Sequence, residues 1–300
     1  MLQRFIIEPL QQCTANKHKT MHLIKDPDIH GFLKRNLAFL EQKEATNNLL
    51  LGVAFALSKN QNKPLPLLLL TAQNDHTPHF CCLQTIPNDL IVCATHQYLD
   101  TSIKLLIDYL ENQDIKLPGI IGPKFITSAL VTQWEQRLKG EWKVSMDQLI
   151  YRLDKVEQVQ LSPGIFRKAE ERDLAIVTPW IRQLLLDILG ETQKGKAERI
   201  AKQKIEANDL YLWEDREVVS MAATTRPSRH GITINFVYTV EKHRRKGYAT
   251  SCVASLSKLM LDNGYQFCSL FTDQKNSTSN NIYQQIGYRI VEKFQQIRLT

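Results

Sequence analysis

The residues with most to offer chemically form one run, Thr233-Ile234-Asn235-Phe236-Val237-Tyr238-Thr239-Val240-Glu241-Lys242-His243-Arg244-Arg245-Lys246-Gly247-Tyr248-Ala249-Thr250. Its first part is β-branched and aromatic, the composition of a pleated, half-buried strand. Arg244, Arg245 and Lys246 then bring formal positive charge to Gly247, where a long helical pattern begins. The first turn of a helix carries backbone N–H groups with no intrahelical partner, and the aligned peptide dipoles place positive partial charge there. Phosphate oxygens suit that end. Gly247 lets the main chain approach a ligand closely because it lacks a Cβ, and small Ala249 keeps the next contact open. The basic side chains add charge-assisted hydrogen bonds at the rim. Strand, basic turn, glycine and helix together can hold an anion; the plainer alternative is a basic turn with an ordinary glycine.

A second run lies downstream, Leu270-Phe271-Thr272-Asp273 followed by Asn276-Ser277-Thr278-Ser279-Asn280-Asn281-Ile282-Tyr283-Gln284-Gln285-Ile286-Gly287-Tyr288. An asparagine at a helix start caps free amides or hydrogen-bonds a bound polar ligand, so Asn276 and Asn280 carry both readings. Tyr283 falls on the apolar face of a short helical pattern over 279–286. A tyrosine there either packs with its hydroxyl hydrogen-bonded or gives a proton to a leaving group.

Arg244-Arg245-Lys246-Gly247-Tyr248-Ala249 resembles the Arg/Gln-x-x-Gly-x-Gly/Ala pyrophosphate loop of the GNAT superfamily, the acetyl-CoA-dependent N-acetyltransferases. The downstream run is similar to that family's strand, Asn-rich helix start, Tyr and Gly-Tyr ending, in the same order, and the linkage of two motifs is far more specific than either alone. The resemblance implies that acetyl-CoA is the acyl donor. It implies that Val237, Tyr238 and Thr239 meet the acetyl and pantetheine groups, with the Val237 N–H on the thioester carbonyl. Arg244, Arg245, Lys246, Gly247, Tyr248, Ala249 and Thr250 would hold the pyrophosphate, Asn276 and Asn280 would touch pantetheine or adenosine, and Tyr283 would protonate the departing thiolate. A bulge or splay in the strand bearing Val237, freeing N–H groups from the ladder, is part of the same expectation.

The implied reaction is direct attack of an amine on the thioester. A lysine-like amine has a pKa of about 10.4, so a base or a water path must take a proton before attack, and the resulting oxyanion needs fixed N–H donors. Some members of the family place a glutamate near the start of this strand. Here the position holds Thr233, with Asn235 two residues on, and neither is a base at neutral pH. Asn235 could orient a water; Asp273 is a possible carboxylate, although a surface aspartate is the commoner reading. The expectation is therefore an N-acetyltransferase acting on a small-molecule amine, with a non-catalytic acyl-CoA-binding regulatory module as the alternative.

Composition narrows the classes. At 300 residues, two domains are expected, and 43% hydrophobic with 23% charged residues is the balance of a soluble globular protein. The formal charge of +7 suits nucleic acid, an anionic membrane or an anionic ligand. Its densest cluster is the Gly247 loop, so part of it is assigned to CoA phosphates, the rest to surface, and none to nucleic acid. Cys13, Cys81, Cys82, Cys93, Cys252 and Cys268 contain no C-x-x-C pair and no metal-ligand spacing with histidine. No metal is expected, and a reducing, cytoplasmic setting fits. The stretch Met1 to Glu8 lacks the features of a signal peptide. The apolar runs at 49–57 and 65–70 fall short of the ~20 residues of a membrane span and read as buried strands. Nothing in the pattern selects between monomer and homodimer.

The elements that must position these residues follow from periodicity. In the first half, 32–40 has helical spacing, strand-like runs at 65–70, 80–83 and 90–95 suggest an antiparallel meander after a polar turn at 59–63, and 101–112 is a helix with Thr101 or Ser102 as cap. A strand near 117–123, a helix over 124–139 and a strand over 148–153 follow. After Ser162-Pro163-Gly164 the second half has strand 165–169, helices 173–189 and 196–206, strands 210–213, 218–225 and 231–239, helix 247–261, strand 266–272, helix 279–286 and strand 288–299. The fold class is α+β with a mixed sheet, as two GNAT-like domains in tandem, 1–155 and 156–300, each a mainly antiparallel sheet flanked by helices. In the first half the corresponding turn, Thr95-His96-Gln97-Tyr98-Leu99-Asp100-Thr101, has no glycine and no basic cluster. That half is expected to be a degenerate copy without a phosphate loop.

Overall fold

The computed structural model describes residues 20–59, 68–85, 87–137, 140–190 and 194–299. The first half runs β1 (His22–Lys25), α1 (Ile29–Glu41), α2 (Asn48–Ser58), β2 (Leu68–Asn74), β3 (Thr77–Gln84), β4 (Leu90–Ala94), α3 (Leu99–Asn112), β5 (Gly119–Pro123), α4 (Lys124–Glu135) and β6 (Trp142–Leu153). The second repeats that order with β7 (Ile165–Lys168), α5 (Leu174–Leu189), α6 (Lys196–Glu206), β8 (Leu210–Asp215), β9 (Glu217–Thr225), β10 (Gly231–Thr239), α7 (Tyr248–Asp262), β11 (Phe267–Asp273), α8 (Ser277–Ile286) and β12 (Arg289–Leu299). Cys13, the stretch Met1 to Glu8, residues 60–63 of the polar turn and 65–67 of the second apolar run lie outside the described residues.

All twelve strands join one sheet in the order β1-β2-β3-β4-β5-β12-β6-β11-β10-β9-β8-β7. The meander expected at β2, β3 and β4 is antiparallel throughout, and the crossovers through α3 and α7 make β4–β5 and β10–β11 parallel. The last strand of each half is exchanged. β12 pairs with β5 and β6 pairs with β11, while β6 and β12 pair with each other over ten positions, Arg289↔Arg152 to Leu299↔Trp142. Neither half completes its sheet without the other.

Strand residues alternate between two helical layers, as a sheet covered on both faces requires. Leu68, Leu70 and Ala72 pack under α3 and α4, whereas Leu69, Cys81 and Leu83 pack under α1 and α2. In the second half Tyr211, Ile232 and Ile234 face α7 and α8, and Leu210, Leu212 and Met221 face α5 and α6. Thr233, between Ile232 and Ile234, faces the other way, and its hydroxyl is 3.3 Å from Asn48 Oδ1 of α2. Helix α2 of the first half therefore shares a face with α5 and α6 of the second. Glu44 reinforces that junction by accepting hydrogen bonds from the His230 amide and from His230 Nδ1, both at 2.8 Å.

Two readings are corrected. The run at 49–57 is helix α2 rather than a strand. Leu50 with Ala54, and Leu51 with Ala54, recur at helical spacing on its buried side, and a nine-residue apolar run does not by itself distinguish the two conformations. Helix α3 is capped neither by Thr101 nor by Ser102; its N-cap is Tyr98, in the left-handed conformation with φ +60°.

Candidate functional site

Strand β10 is irregular where the motif requires it. Its register against β9 passes from Asn235↔Ala223 to Tyr238↔Met221, so that Phe236 and Val237 together stand opposite the single residue Ala222, and Phe236 takes φ +48°. On the other edge, pairing with β11 ends at Thr233↔Ser269. Beyond that point the strands part, so a bulge and a splay coincide at Val237. Val240 N then returns to the ladder on Val219 O at 3.1 Å, and Ser220 Oγ reaches both Tyr238 O and Thr239 Oγ1 at 2.9 Å. The irregularity is pinned on its far side.

The eight residues 240–247 carry the chain from β10 to α7. A short 3-10 turn, Glu241–His243, is tied down by Glu217, whose carboxylate receives Lys242 Nζ at 2.8 Å and His243 Nε2 at 2.9 Å. Arg244 is extended, Arg245 takes φ +64° and Gly247, the N-cap of α7, takes φ +79°. Left-handed residues alternating with ordinary ones turn successive amides toward one side, the geometry of an anion nest. A Cβ on Gly247 would stand 2.7 Å from Ser162 Oγ, which itself donates to Lys246 O at 2.7 Å. Gly247 is thus required by both conformation and space. Ser162 N also donates to Ser251 Oγ at 2.8 Å, and the Tyr248 hydroxyl donates to Asp215 Oδ2 at 2.5 Å, a bond that pushes the phenol up. The brace at Ser162 gave no sign in the sequence beyond a chain break, because its partners lie 84 and 89 residues away.

Loop, bulge and the start of α8 open into one cleft of about 1100 Å³. Of the residues singled out in the sequence, Val237, Tyr238, Thr239, Arg244, Arg245, Gly247, Tyr248, Ala249, Thr250, Asn276 and Tyr283 line it. Three do not. Lys246 is exposed beside the cleft, and Asn235 points to the other face of the sheet with Thr233. Asn280 turns inward, donating to Asp273 O and Gln274 O at 3.2 Å and standing 3.3 Å from the Tyr151 hydroxyl. Asn280 caps no free amide but ties the preceding turn to α8, whereas Asn276 caps α8 through Ser279 N at 3.0 Å while facing the cleft. Asp273 is spent on the same turn, accepting from Lys275 N at 2.8 Å. Helix α5 adds two wall residues that sequence reasoning missed, Leu184 and Asp187. Asp187 is the one carboxylate among the described lining residues.

Tyr283 is 7% exposed, with the rings of Tyr151 and Tyr288 about 6 Å away. Burial, and then the neighbouring Tyr151, push its phenol up to about 12. It is a neutral O–H at any physiological pH, able to give a proton and unable to act as a resting base. Among the described residues no group of three or more His, Cys, Asp or Glu is arranged to hold a metal, and no helix is long and apolar enough to cross a membrane.

Residues 213–298 match a family model described as FR47-like protein. No curated protein matches the chain in sequence. Among solved structures, an acetyltransferase of the GNAT family from Colwellia psychrerythraea is 12% identical and superposes with a TM-score of 0.58, covering 94% of this chain and 100% of that one. A GCN5-related N-acetyltransferase from Sphaerobacter thermophilus, 9% identical, gives 0.62 with 93% and 95% covered, and a Drosophila protein, 13% identical, gives 0.60 with 93% and 98% covered. The chain has the GNAT acetyltransferase fold over nearly its whole length and carries an FR47-like sequence signature between residues 213 and 298.

Proposed function

We propose that this protein is an N-acetyltransferase that takes an acetyl group from acetyl-CoA and transfers it to the amine of a small molecule. The observation that carries the reading is the convergence of the Val237 bulge, the left-handed Gly247 cap and the Tyr283 hydroxyl on one cleft. The site suits the donor. The amides from Arg245 to Thr250, with Arg244 and Arg245 at the rim, would hold the diphosphate, and Asn276 would meet the pantetheine arm. The Val237 N–H at the bulge would polarise the thioester carbonyl and stabilise the oxyanion, and Tyr283 would protonate the leaving thiolate.

Neither Thr233 nor Asn235 of β10 is a base, and in this reading proton removal from the amine falls to solvent, ordered by Asn235 on the face opposite the cleft. In this reading 1–155 is a cofactor-free companion domain and 156–300 the acetyltransferase domain, in a cytoplasmic protein whose described cysteines, Cys81, Cys82, Cys93, Cys252 and Cys268, are free and buried. The test is CoA release with acetyl-CoA across an amine panel. Turnover should appear, and Tyr283→Phe should lower kcat about 10²-fold with acetyl-CoA affinity unchanged. The scarcity of carboxylates at the cleft favours a second reading, an acyl-CoA-binding module without turnover. Tight acetyl-CoA binding with no CoA release for any amine would establish it.

A further inference from the structure

Arg226 follows β9 in an unusual backbone conformation, φ +47°, and lays its stem on helix α2 of the other half. A Cβ on Gly52 would stand 2.5 Å from Arg226 Cγ and 2.7 Å from its Cβ and Cδ. The guanidinium stands over Phe271 of β11, 5.1 Å from the ring centre. Among the described residues it forms no ion pair, and its Nε is buried without a hydrogen-bond partner. Burial lowers its pKa to about 10, and Lys204, the titratable neighbour that responds to its charge, is itself a cation. A buried charge with no counter-charge is costly and usually has a partner.

A second unsatisfied atom lies close by in the register. Thr233 is paired with Thr225 on one side and Ser269 on the other, so Asn235 and Phe271, two residues further along their strands, share its face. Asn235 Oδ1 is buried and unpartnered as well. Arg226, Asn235 and Phe271 all retain partial exposure, on the face of the sheet that carries α2 through Asn48 and Gly52. These residues lie where β10 and β11 part, across the sheet from α7 and beside the bulge at Val237. A guanidinium fork suits a carboxylate, and an amide oxygen accepts from an amine N–H.

We infer that the acetyl acceptor is a small amine bearing a carboxylate, held by Arg226 through the carboxylate and by Asn235 through the amine. The amine half of this inference rests on the acetyltransferase reading; the carboxylate half rests on Arg226 alone, with its unpartnered Nε and no ion pair among the described residues. Gly52 is then a positioning residue, since it gives the Arg226 stem its place.

The test uses the full chain with each standard amino acid beside its decarboxylated amine, in acetyl-transfer kinetics and in calorimetric titration. At least one amino acid should exceed its amine in kcat/KM by tenfold or more, about 1.4 kcal/mol. Arg226→Met should erase that preference while leaving kcat/KM for the amine within about twofold and KM for acetyl-CoA unchanged. Arg226→Lys, which keeps the charge and loses the fork, should give an intermediate preference, and Gly52→Ala should weaken it as well. Equal use of acids and amines by the wild type would overturn the inference, as would an Arg226→Met variant that slows both alike, the mark of a latch between the halves. Were no amine a substrate, the acetyltransferase reading would fail separately; amino-acid binding lost in Arg226→Met would then still support the carboxylate site, and no such binding would overturn it.

Discussion

The two halves of this molecule share an order of elements, yet they treat the same position in opposite ways. In each, a central helix begins at a left-handed N-cap beyond a parallel strand, at Tyr98 with φ +60° in the first half and at Gly247 with φ +79° in the second. In the second half β10 bulges and its connection to α7 is eight residues long, 240–247. In the first, β4 holds a regular register with β3 from Leu83↔Ile91 to Phe80↔Ala94, and only the four residues 95–98 lead to α3. Aromatic rings then occupy the turn, with His79 and Tyr98 at 4.8 Å and His96 and Phe125 at 4.2 Å. The same order of elements thus carries two differently built turns. What distinguishes the second half is local: a freed strand edge, a longer basic loop and a residue without a side chain at the cap.

Breaking that difference should have its largest effect at Gly247. Gly247→Val meets Ser162 Oγ and opposes the left-handed backbone, and should weaken acetyl-CoA binding by about 100-fold or more, equivalent to about 2.8 kcal/mol, in calorimetry. Tyr98→Gly, the same backbone position in the first half, should leave that affinity unchanged.

A smaller effect is expected at the contact that joins the halves. Glu44 is opposed by its own burial, but hydrogen bonds from Ser228 and from the His230 amide and ring outweigh this and hold its carboxyl below the usual range. A lowered carboxylate contributes stability that is complete above its unfolded pKa of about 4.3 and is lost as the pH falls through the folded value. Glu44→Ala should therefore cost about 1–3 kcal/mol near neutrality, and the difference from wild type in thermal unfolding should shrink as the pH is lowered below about 4. Tyr283 has the opposite sign. Its raised phenol keeps its contribution below about pH 10, with stability falling as the pH rises toward about 12, and in Tyr283→Phe this alkaline loss should be reduced.

The smallest expected effect is at Ser162. Removing the hydroxyl that braces the loop through Lys246 O forfeits one hydrogen bond, about 1 kcal/mol, and Ser162→Ala should weaken acetyl-CoA binding about fivefold. An unchanged affinity would show that the loop holds its shape without the Ser162 brace.

Much of this was legible in the sequence, for reasons that can be named. The strand over Gly231–Thr239 and the helix over Lys196–Glu206 have the expected bounds, because β-branched alternation and charged helical spacing are local signals. The Gly247 loop was legible because its chemistry is contiguous. The helix at Asn48–Ser58 was misread, since apolar character all round hides the period that separates helix from strand. The exchange of β6 and β12, the brace at Ser162 and the contact of Gly52 with Arg226 depend on partners distant in the chain, which no local pattern encodes. Asn235 sits on the expected strand, but its side of the sheet was not read, and the alternation that places it beside Thr233 turns it from the cleft.

The central claim is that one half binds the donor and its counterpart does not. Isothermal titration of the intact chain with acetyl-CoA tests this most directly. The account predicts one molecule bound per chain, lost in Gly247→Val. Two molecules per chain, none, or one that persists at full affinity in Gly247→Val would contradict it.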